Sequence, residues 1–157
     1  LKRLTDSHKL LQELFSNAQA DLSSRYTEPL AQSIGSFLKP LITDGPVAQL
    51  SFDQASGFSG LQMRRGKEFF EFEQLSGGMK EQLSAALRLS MADVLKEEHD
   101  GCLPLVFDDA FTNSDPQRIA IVKQMISKAV DRGLQVILLT CDPEAYWTFA
   151  NHKVRLE

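Results

Sequence analysis

Two short segments of this 157-residue chain carry residue types that could bind a phosphate and a metal ion. The segment Leu75–Gln82 reads LSGGMKEQ, and the segment Leu103–Asp109 is an apolar run that ends in two carboxylates. A serine and two glycines at the start of a helix expose backbone N–H groups, and the positive end of the helix favours an anion. Carboxylates at a strand end can hold a hydrated Mg²⁺. Together the two segments predict half of an ATP site.

The other half of such a site is a GxxxxGK[ST] loop, whose backbone and lysine surround the β- and γ-phosphates. The sequence does not contain this loop. The nearest stretch, Gly57–Lys67, lacks both the spacing and a hydroxyl residue after the lysine. We therefore expect this chain alone to be inactive and unable to bind ATP.

The composition limits the class of protein. With 43% hydrophobic and 24% charged residues, it is typical of a soluble globular domain without membrane spans. The net charge of −4 argues against a surface covered in basic residues, so any DNA contact is expected to be local or made elsewhere. Cys102 and Cys141 are expected to be reduced thiols in a cytoplasmic protein.

The first residues show the 3.5-residue repeat of a coiled coil. The apolar or seam positions are Leu1, Leu4, His8, Leu11, Phe15, Ala18 and Leu22. We expect residues 1–28 to be the end of a coiled-coil arm cut from a longer chain, and residues 29–157 to form a globular lobe. An amphipathic helix packed on its own domain remains the alternative.

A helix and a small antiparallel sheet are predicted next. Pro29 and Pro40 bracket the helix, whose apolar stripe contains Leu30, Ile34, Phe37 and Leu38. A turn at 43–46 leads into a strand near 47–52, followed by strands at 61–64 and 69–72.

The remainder of the sequence predicts a parallel βαβ unit. Ser76 is the expected N-cap of a helix with the inner stripe Leu83, Ala86, Leu87, Met91, Val94 and Leu95. The run at 103–107 is predicted as a strand covered on both faces. Asp115 and Pro116 begin a helix that ends at Gly133, and its stripe is Ile119, Val122, Ile126 and Val130. A buried strand at 134–140, a short helix at 143–150 and an edge strand at 153–156 complete the prediction.

The order of these motifs resembles the C-terminal lobe of an ABC-type ATPase head of the SMC, RecN and SbcC branch. The resembling motifs are the signature (Leu75–Gln82), the Walker B strand ending in Asp108 and Asp109, the D-loop (Asn113–Asp115) and the switch strand ending at Thr140. The resemblance covers residues 68–157, and the first helix resembles the returning coiled-coil arm. It implies an α/β, P-loop NTPase-like fold with a parallel βαβ core, a small antiparallel sheet and a long N-terminal helix.

The resemblance also implies roles for individual residues. Those assigned to nucleotide binding are Ser76, Gly77, Gly78, Gln82, Asp115 and Asp142. Asp108 would hold Mg²⁺ through water, and Asp109 would orient or deprotonate the attacking water. Relatives usually carry the longer glutamate at the position of Asp109.

Each of these motifs also has a purely structural interpretation. Ser-Gly-Gly occurs in ordinary turns before helices, adjacent acids can end a strand as solvated charges, and Asp115 can act only as a helix cap. The switch position departs from the family, because Cys141 and Asp142 stand where relatives place a histidine. A carboxylate at Asp142 repels phosphate unless Mg²⁺ or a lysine intervenes.

The implied function is ATP hydrolysis by a head that contains a second, N-terminal lobe with the Walker A loop. Two such heads would form an ATP-dependent homodimer with Mg²⁺ and act on DNA in repair, segregation or defence, in the cytoplasm or on the nucleoid. A slow or non-hydrolysing ATP-dependent clamp is the main alternative. The ATP-binding subunit of a transporter fits less well, because such chains carry both halves of the site in one uninterrupted domain.

Overall fold

A computed structural model describes residues 2–41, 48–53, 57–65, 67–101, 103–112 and 114–155. The helices in these ranges are α1 (Lys2–Leu22), α2 (Glu28–Leu38), α3 (Gly77–Leu95) and α4 (Pro116–Asp131). The strands are β1 (Ala48–Asp53), β2 (Gly57–Arg65), β3 (Glu68–Glu71), β4 (Leu105–Asp108) and β5 (Val136–Leu139). Several positions with predictions lie outside the described residues: Leu1, the turn at 43–46, Val47, Cys102, Asn113 and Leu156.

Helix α1 forms as predicted, and four large apolar side chains in its middle are exposed. Leu10, Leu11, Leu14 and Phe15 are 57%, 51%, 56% and 69% exposed. A π-helical turn at Ser23–Thr27 joins α1 to α2. The packed-helix alternative requires α1 to bury an apolar stripe against its own lobe. These four side chains are exposed instead, so they form no such buried stripe. None of the described helices is long and apolar enough to cross a membrane.

Helix α2 buries the apolar stripe that the sequence predicted. Pro29 lies in its first turn, where the missing N–H group has no cost. Ile34, Phe37 and Leu38 are fully buried. The helix continues into a 3₁₀ turn at Lys39–Leu41, which contains Pro40.

The first three strands form the predicted antiparallel sheet, in the order β1–β2–β3. Met63 on β2 pairs with Phe70 on β3, and Met63 is 2% exposed. The β1–β2 register shifts between Gln49 and Ser51, which indicates a bulge or irregularity.

The predicted parallel βαβ unit is confirmed. Strands β4 and β5 pair in parallel, with Phe107 opposite Leu138, and α4 connects them. Asp115 caps α4, since its Oδ1 accepts a hydrogen bond of 2.9 Å from the backbone N–H of Arg118. Gly133 has a φ of +87° at the end of this helix, a conformation that favours glycine.

The core lies between helices α2, α3 and α4 and one face of strands β4 and β5. Its largest fully buried apolar side chains are Phe37, Phe107, Ile34, Leu38, Met63, Leu83, Leu89, Met125 and Val122. Burial of each such side chain stabilises the fold by about 1.5–3 kcal/mol. This core holds the N-terminal ends of α3 and α4 in fixed positions.

The prediction that β4 is covered on both faces is wrong for this chain. Phe107 is 2% exposed, whereas Val106 on the other face is 48% exposed. Ile137 and Leu139 on β5 are 40% and 39% exposed. The helices of the chain therefore cover one face of the sheet, and an apolar run alone could not reveal that the other face is open. The predicted stripes also fail at Met91 and Val130, which are 44% and 43% exposed.

The C-terminal segment differs from its prediction. Residues 144–149 form turns rather than a helix, with hydrogen bonds from Tyr146 N–H to the Pro143 carbonyl (3.1 Å) and from Phe149 N–H to the Tyr146 carbonyl (3.0 Å). These bonds span three residues, and the four-residue spacing of an α-helix occurs in the bond from Ala150 N–H to the Tyr146 carbonyl (3.0 Å), so the segment forms successive turns rather than a continued α-helix. Residues 153–155 form no strand, since no described strand pairs with them.

Candidate functional site

The start of α3 presents an open anion-binding geometry. Ser76 occupies the N-cap position with extended backbone (φ −64°, ψ 155°), but its hydroxyl makes no capping hydrogen bond. Ser76 and Gly77 are exposed and Gly78 is buried. The first turn contains no acidic side chain. The unpaired N–H groups of this turn are therefore suited to an anion.

A cavity of about 670 Å³ borders this helix start. Among its lining residues, Ser76 and Gln82 come from the signature segment, and Asp115 and Arg118 come from the start of α4. Met63 and Phe70 form part of its apolar wall on strands β2 and β3. The structure thus brings together polar residues from the starts of two helices, and three of them, Ser76, Gln82 and Asp115, were predicted site residues.

Gln82 is 1% exposed. Its Nε2 atom is buried without a hydrogen-bond partner among the described residues. Burying an unpaired amide group costs about 1–3 kcal/mol, so such a group in a native fold calls for an explanation such as a missing ligand. Gln82 lies in the wall of the cavity, and its predicted role toward a nucleotide stays a prediction.

The carboxylates at the end of β4 form a second cluster. Asp108 and Asp109 are both exposed, and Asp109 has a φ of +43°, in the left-handed region. The backbone N–H of Asp109 donates to the carbonyl of Leu139 at 2.9 Å. This bond extends the parallel pairing to the residue that follows the strand, and so fixes the backbone of Asp109 beside the end of β5.

The Asp109 carboxylate is held by Cys141, which follows β5. The backbone N–H of Cys141 donates to Oδ1 at 3.0 Å, and its thiol donates to Oδ2 at 3.4 Å. The thiol's hydrogen bond to Asp109, together with the negative charge of that carboxylate, raises the pKa of Cys141. A protonated thiol of this kind is a donor rather than a nucleophile.

The loop that precedes α4 contacts α3 directly. Ser114 donates from Oγ to Oε2 of Glu81 at 2.9 Å. Asp115 supports the same loop as the N-cap of α4 and also forms an ion pair with Arg118, with Oδ2 3.2 Å from Nε. The structural role expected of Asp115 is thus confirmed, whereas its role toward a nucleotide stays a prediction.

Asp142 is exposed and serves the turn that follows β5. Its backbone N–H donates to Oγ1 of Thr140 at 3.0 Å, and its Oδ1 accepts a hydrogen bond of 3.4 Å from the N–H of Ala145. Among the described residues, no group of three or more His, Cys, Asp or Glu side chains is placed to hold a metal ion. The metal role of Asp108 and the nucleotide role of Asp142 remain predictions.

Sequence reasoning missed Arg118, Glu81 and the contact between Cys141 and Asp109. Arg118 lies three residues after the N-cap Asp115, a spacing at which opposite charges meet on a helix, and this signal could have drawn attention to it. The Cys141 contact joins residues that are 32 positions apart. Only the parallel pairing of β4 with β5 brings those two residues together.

Solved SMC head structures share this fold. A chain from a study of ATP-driven dimerization and DNA-stimulated activation of SMC ATPases matches with a TM-score of 0.67 at 19% identity, over 87% of this chain and 81% of that chain. A Smc head bound to the C-winged helix domain of ScpA matches with a TM-score of 0.67 at 17% identity, over 84% of this chain and 40% of that chain. The SMC head domain from Thermotoga maritima matches with a TM-score of 0.57 at 18% identity, over 85% of this chain and 45% of that chain. The predicted fold class is confirmed: the chain is an SMC-like head lobe in its fold.

Similar sequences occur in uncharacterized bacterial proteins. Rv1278 of Mycobacterium tuberculosis is 30% identical over 141 residues, which are 88% of this chain and 15% of that protein. YhaN of Bacillus subtilis is 30% identical over 112 residues, or 71% of this chain and 11% of that protein. The chain thus spans about 15% or less of the length of these curated relatives. No protein-family model matches the sequence.

Proposed function

We propose that the chain is the C-terminal lobe of an SMC-like ATP-hydrolysing head that supplies the signature, Walker B, D-loop and switch elements. One observation carries this proposal: the uncapped start of α3 and the D-loop residue Asp115 share one cavity, on a fold that SMC heads also have. An N-terminal lobe with a Walker A loop would complete the head. A second copy of the head would then close on ATP and Mg²⁺.

The residues present fit these ligands. The first turn of α3 offers N–H groups and no acidic side chain to a phosphate. The exposed carboxylate of Asp108 is an oxygen donor of the kind that Mg²⁺ prefers. Bound Mg²⁺ would neutralise charge on the phosphates. Asp109 would accept a proton from the attacking water, and Ser76 with Gly77 and Gly78 would fix the terminal phosphate of the opposing head's nucleotide.

The open apolar face of β4 and β5 supports an N-terminal lobe as a partner. Val106, Ile137 and Leu139 lie exposed there, and strands of a parallel sheet are ordinarily covered on both faces. The exposed apolar residues of α1 support, in the same way, a pairing helix of the coiled-coil arm. Action on DNA in repair, segregation or defence, in the cytoplasm, belongs to this proposal through the family resemblance.

The contact between Cys141 and Asp109 favours a second candidate, a slow or non-hydrolysing clamp. Both carboxylate oxygens of Asp109 accept hydrogen bonds from Cys141. Each oxygen keeps a second lone pair, but the two bonds hold the carboxylate toward Cys141, and Asp109 is one methylene shorter than the glutamate usual at this position. Such a clamp would bind ATP and dimerise without rapid turnover.

Two measurements on the native protein that carries this chain distinguish the ATPase from the clamp. ATP-dependent dimerisation is measured by light scattering, and phosphate release is measured in the same sample. The proposed ATPase shows dimerisation with rapid, repeated turnover, whereas a clamp shows dimerisation with slow or no turnover. Absence of ATP-dependent dimerisation contradicts both.

A transporter origin is tested by affinity purification of the native protein from membranes. Recovery of a transmembrane partner in stoichiometric amount would contradict the proposed assignment to an SMC-like head. Recovery from the soluble fraction without such a partner supports it.

A further inference from the structure

The side chain of Arg118 lies on the start of the signature helix. A Cβ atom built on Gly78 would overlap Nη1 of Arg118 and lie 2.9 Å from its Cζ. The guanidinium therefore occupies the space that a side chain at position 78 would fill. A side chain at position 78 would therefore displace the guanidinium, whereas the backbone of Gly78 itself does not require glycine, since its φ is not positive.

The guanidinium lies between the positive ends of two helices. It reaches from the first turn of α4 to the first turn of α3, and both helix ends carry partial positive charge. Within the described part of the chain, the acidic partner of Arg118 is Asp115, through the ion pair of Nε and Oδ2 at 3.2 Å. A cation held between two positive helix ends favours binding of an anion there.

A second observation points to a ligand in the same cavity. Gln82 lines it and carries a buried Nε2 without a partner among the described residues. An amide donor and a guanidinium on one cavity wall are complementary to phosphate oxygens. The Arg118 side chain is 33% exposed, so it is accessible to a ligand.

We propose that Arg118 contacts the terminal phosphate of the nucleotide bound at the signature segment, with Asp115 as the residue that positions it. In the free lobe the ion pair holds the guanidinium against Gly78. When the phosphate arrives, Nε keeps its bond to Asp115, and the terminal nitrogens Nη1 and Nη2 turn from Gly78 to donate to two phosphate oxygens. The ligand class is a nucleoside triphosphate, since a diphosphate lacks the oxygens that Arg118 reaches. This inference rests on the proposed function.

The first test measures the ATP concentration that drives half-maximal dimerisation of the native protein. Arg118→Ala removes the charge-assisted hydrogen bonds to phosphate. We therefore expect this variant to require about tenfold to hundredfold more ATP for half-maximal dimerisation. Arg118→Lys retains the charge without the paired donors and is expected to be intermediate. Arg88→Ala is the matched control, because it removes an exposed arginine on α3 at the same change of charge.

A structural role would give a different result. If Arg118 only holds the two helices together, Arg118→Ala lowers the melting temperature and leaves the ATP requirement at the wild-type value. That result overturns the proposal. A rise in the KM for ATP with a melting temperature equal to that of Arg88→Ala supports it. ATP-insensitive wild-type protein contradicts the proposed function, whereas a responsive wild type with an unaffected Arg118→Ala contradicts this inference alone.

The contact with Gly78 is tested by a double-mutant cycle. Gly78→Ala would fill the space that the guanidinium occupies in the free lobe and displace it, so it should change the ATP requirement of the wild type. In the Arg118→Ala background the same change meets no guanidinium and should have an effect that is smaller by about twofold or more, because contacting residues usually couple by about 0.5 kcal/mol or more. Equal effects in both backgrounds would show that the guanidinium does not lie on Gly78, and would overturn the proposal.

Discussion

The two ends of helix α3 differ in how their polar groups are satisfied. At its C-terminal end, Asp93 accepts bonds from Lys96 (Nζ to Oδ1, 2.9 Å), Arg132 (Nη1 to Oδ2, 2.6 Å) and Ser33 (Oγ to Oδ2, 3.2 Å). We call this set the ion cluster. It joins α2, α3 and α4 at a single carboxylate.

The N-terminal end of α3 has an incomplete polar network. The hydroxyl of Ser76 makes no capping bond, Nε2 of Gln82 has no partner among the described residues, and the guanidinium of Arg118 rests on a glycine. Polar groups that satisfy each other contribute to stability, whereas groups left incomplete are available to a ligand. The C-terminal end of α3 therefore stabilises the fold, whereas the N-terminal end leaves polar groups available to a ligand.

The largest effect is expected at Asp109, the second acid at the end of β4. Asp109→Asn should lower ATP turnover by about 10²–10⁴-fold, because it removes the proposed general base. ATP-dependent dimerisation should persist. Phosphate release and light scattering on the native protein measure the two quantities. An unchanged turnover rate would remove Asp109 from the catalytic role.

The ion cluster should respond in the opposite way. Asp93→Ala leaves Lys96 and Arg132 partly buried without their counter-ion, which should lower the free energy of unfolding by about 2–4 kcal/mol. Chemical denaturation of the native protein measures this loss. At temperatures where the variant is folded, its ATP requirement should match the wild type. A large change in that requirement would mean that the two ends are not separate.

The same cluster predicts a pH dependence. Burial raises the pKa of Asp93, but the hydrogen bonds and charges of Lys96 and Arg132 outweigh it, so the pKa lies below its ordinary value of 3.8. A lowered folded-state pKa stabilises the protein above 3.8, and this contribution is lost as the pH falls through the folded-state pKa. The stability difference between wild type and Asp93→Asn should therefore shrink on going from pH 7 to below 3.8. A constant difference would contradict the assignment.

The smallest effect is expected at Gln82. Gln82→Leu replaces an unpartnered buried amide with an apolar side chain of similar size, so the free energy of unfolding should stay constant or rise by about 1 kcal/mol. ATP affinity should fall in the same variant. Melting temperature and half-maximal ATP concentration check the two parts. A loss of stability instead would show that the amide is already satisfied within the fold.

Much of the fold could be predicted because local signals were strong. The Asp115–Pro116 cap, the apolar runs and Gly133 at the end of α4 specify the βαβ unit. The prediction of a helix at 143–150 was wrong, because a short stretch with helical spacing does not distinguish a helix from successive turns. The open face of β4 was missed because an apolar run is the same whether its cover lies in this chain or in a partner.

The candidate site could be predicted in part. The residue types of Ser76 and Gly77 are enough to predict an anion site. The structure places Ser76 and Asp115 on the same cavity. Arg118 could not be assigned to that cavity from sequence, because its reach to Gly78 depends on how α3 packs against α4. The same holds for Cys141 and Asp109, which meet only through the pairing of β4 with β5.

The central claim, that the signature of one molecule completes the ATP site of another, is tested most directly by mixing two inactive variants. Ser76→Glu disables the signature, Asp109→Asn disables the acid, and Ser127→Glu on the exposed side of α4 serves as a charge control. If the site is shared between molecules, each mixed dimer has one intact site, and an equimolar mixture should recover about a quarter of the wild-type ATP turnover. No recovery above the two separate variants would contradict the account.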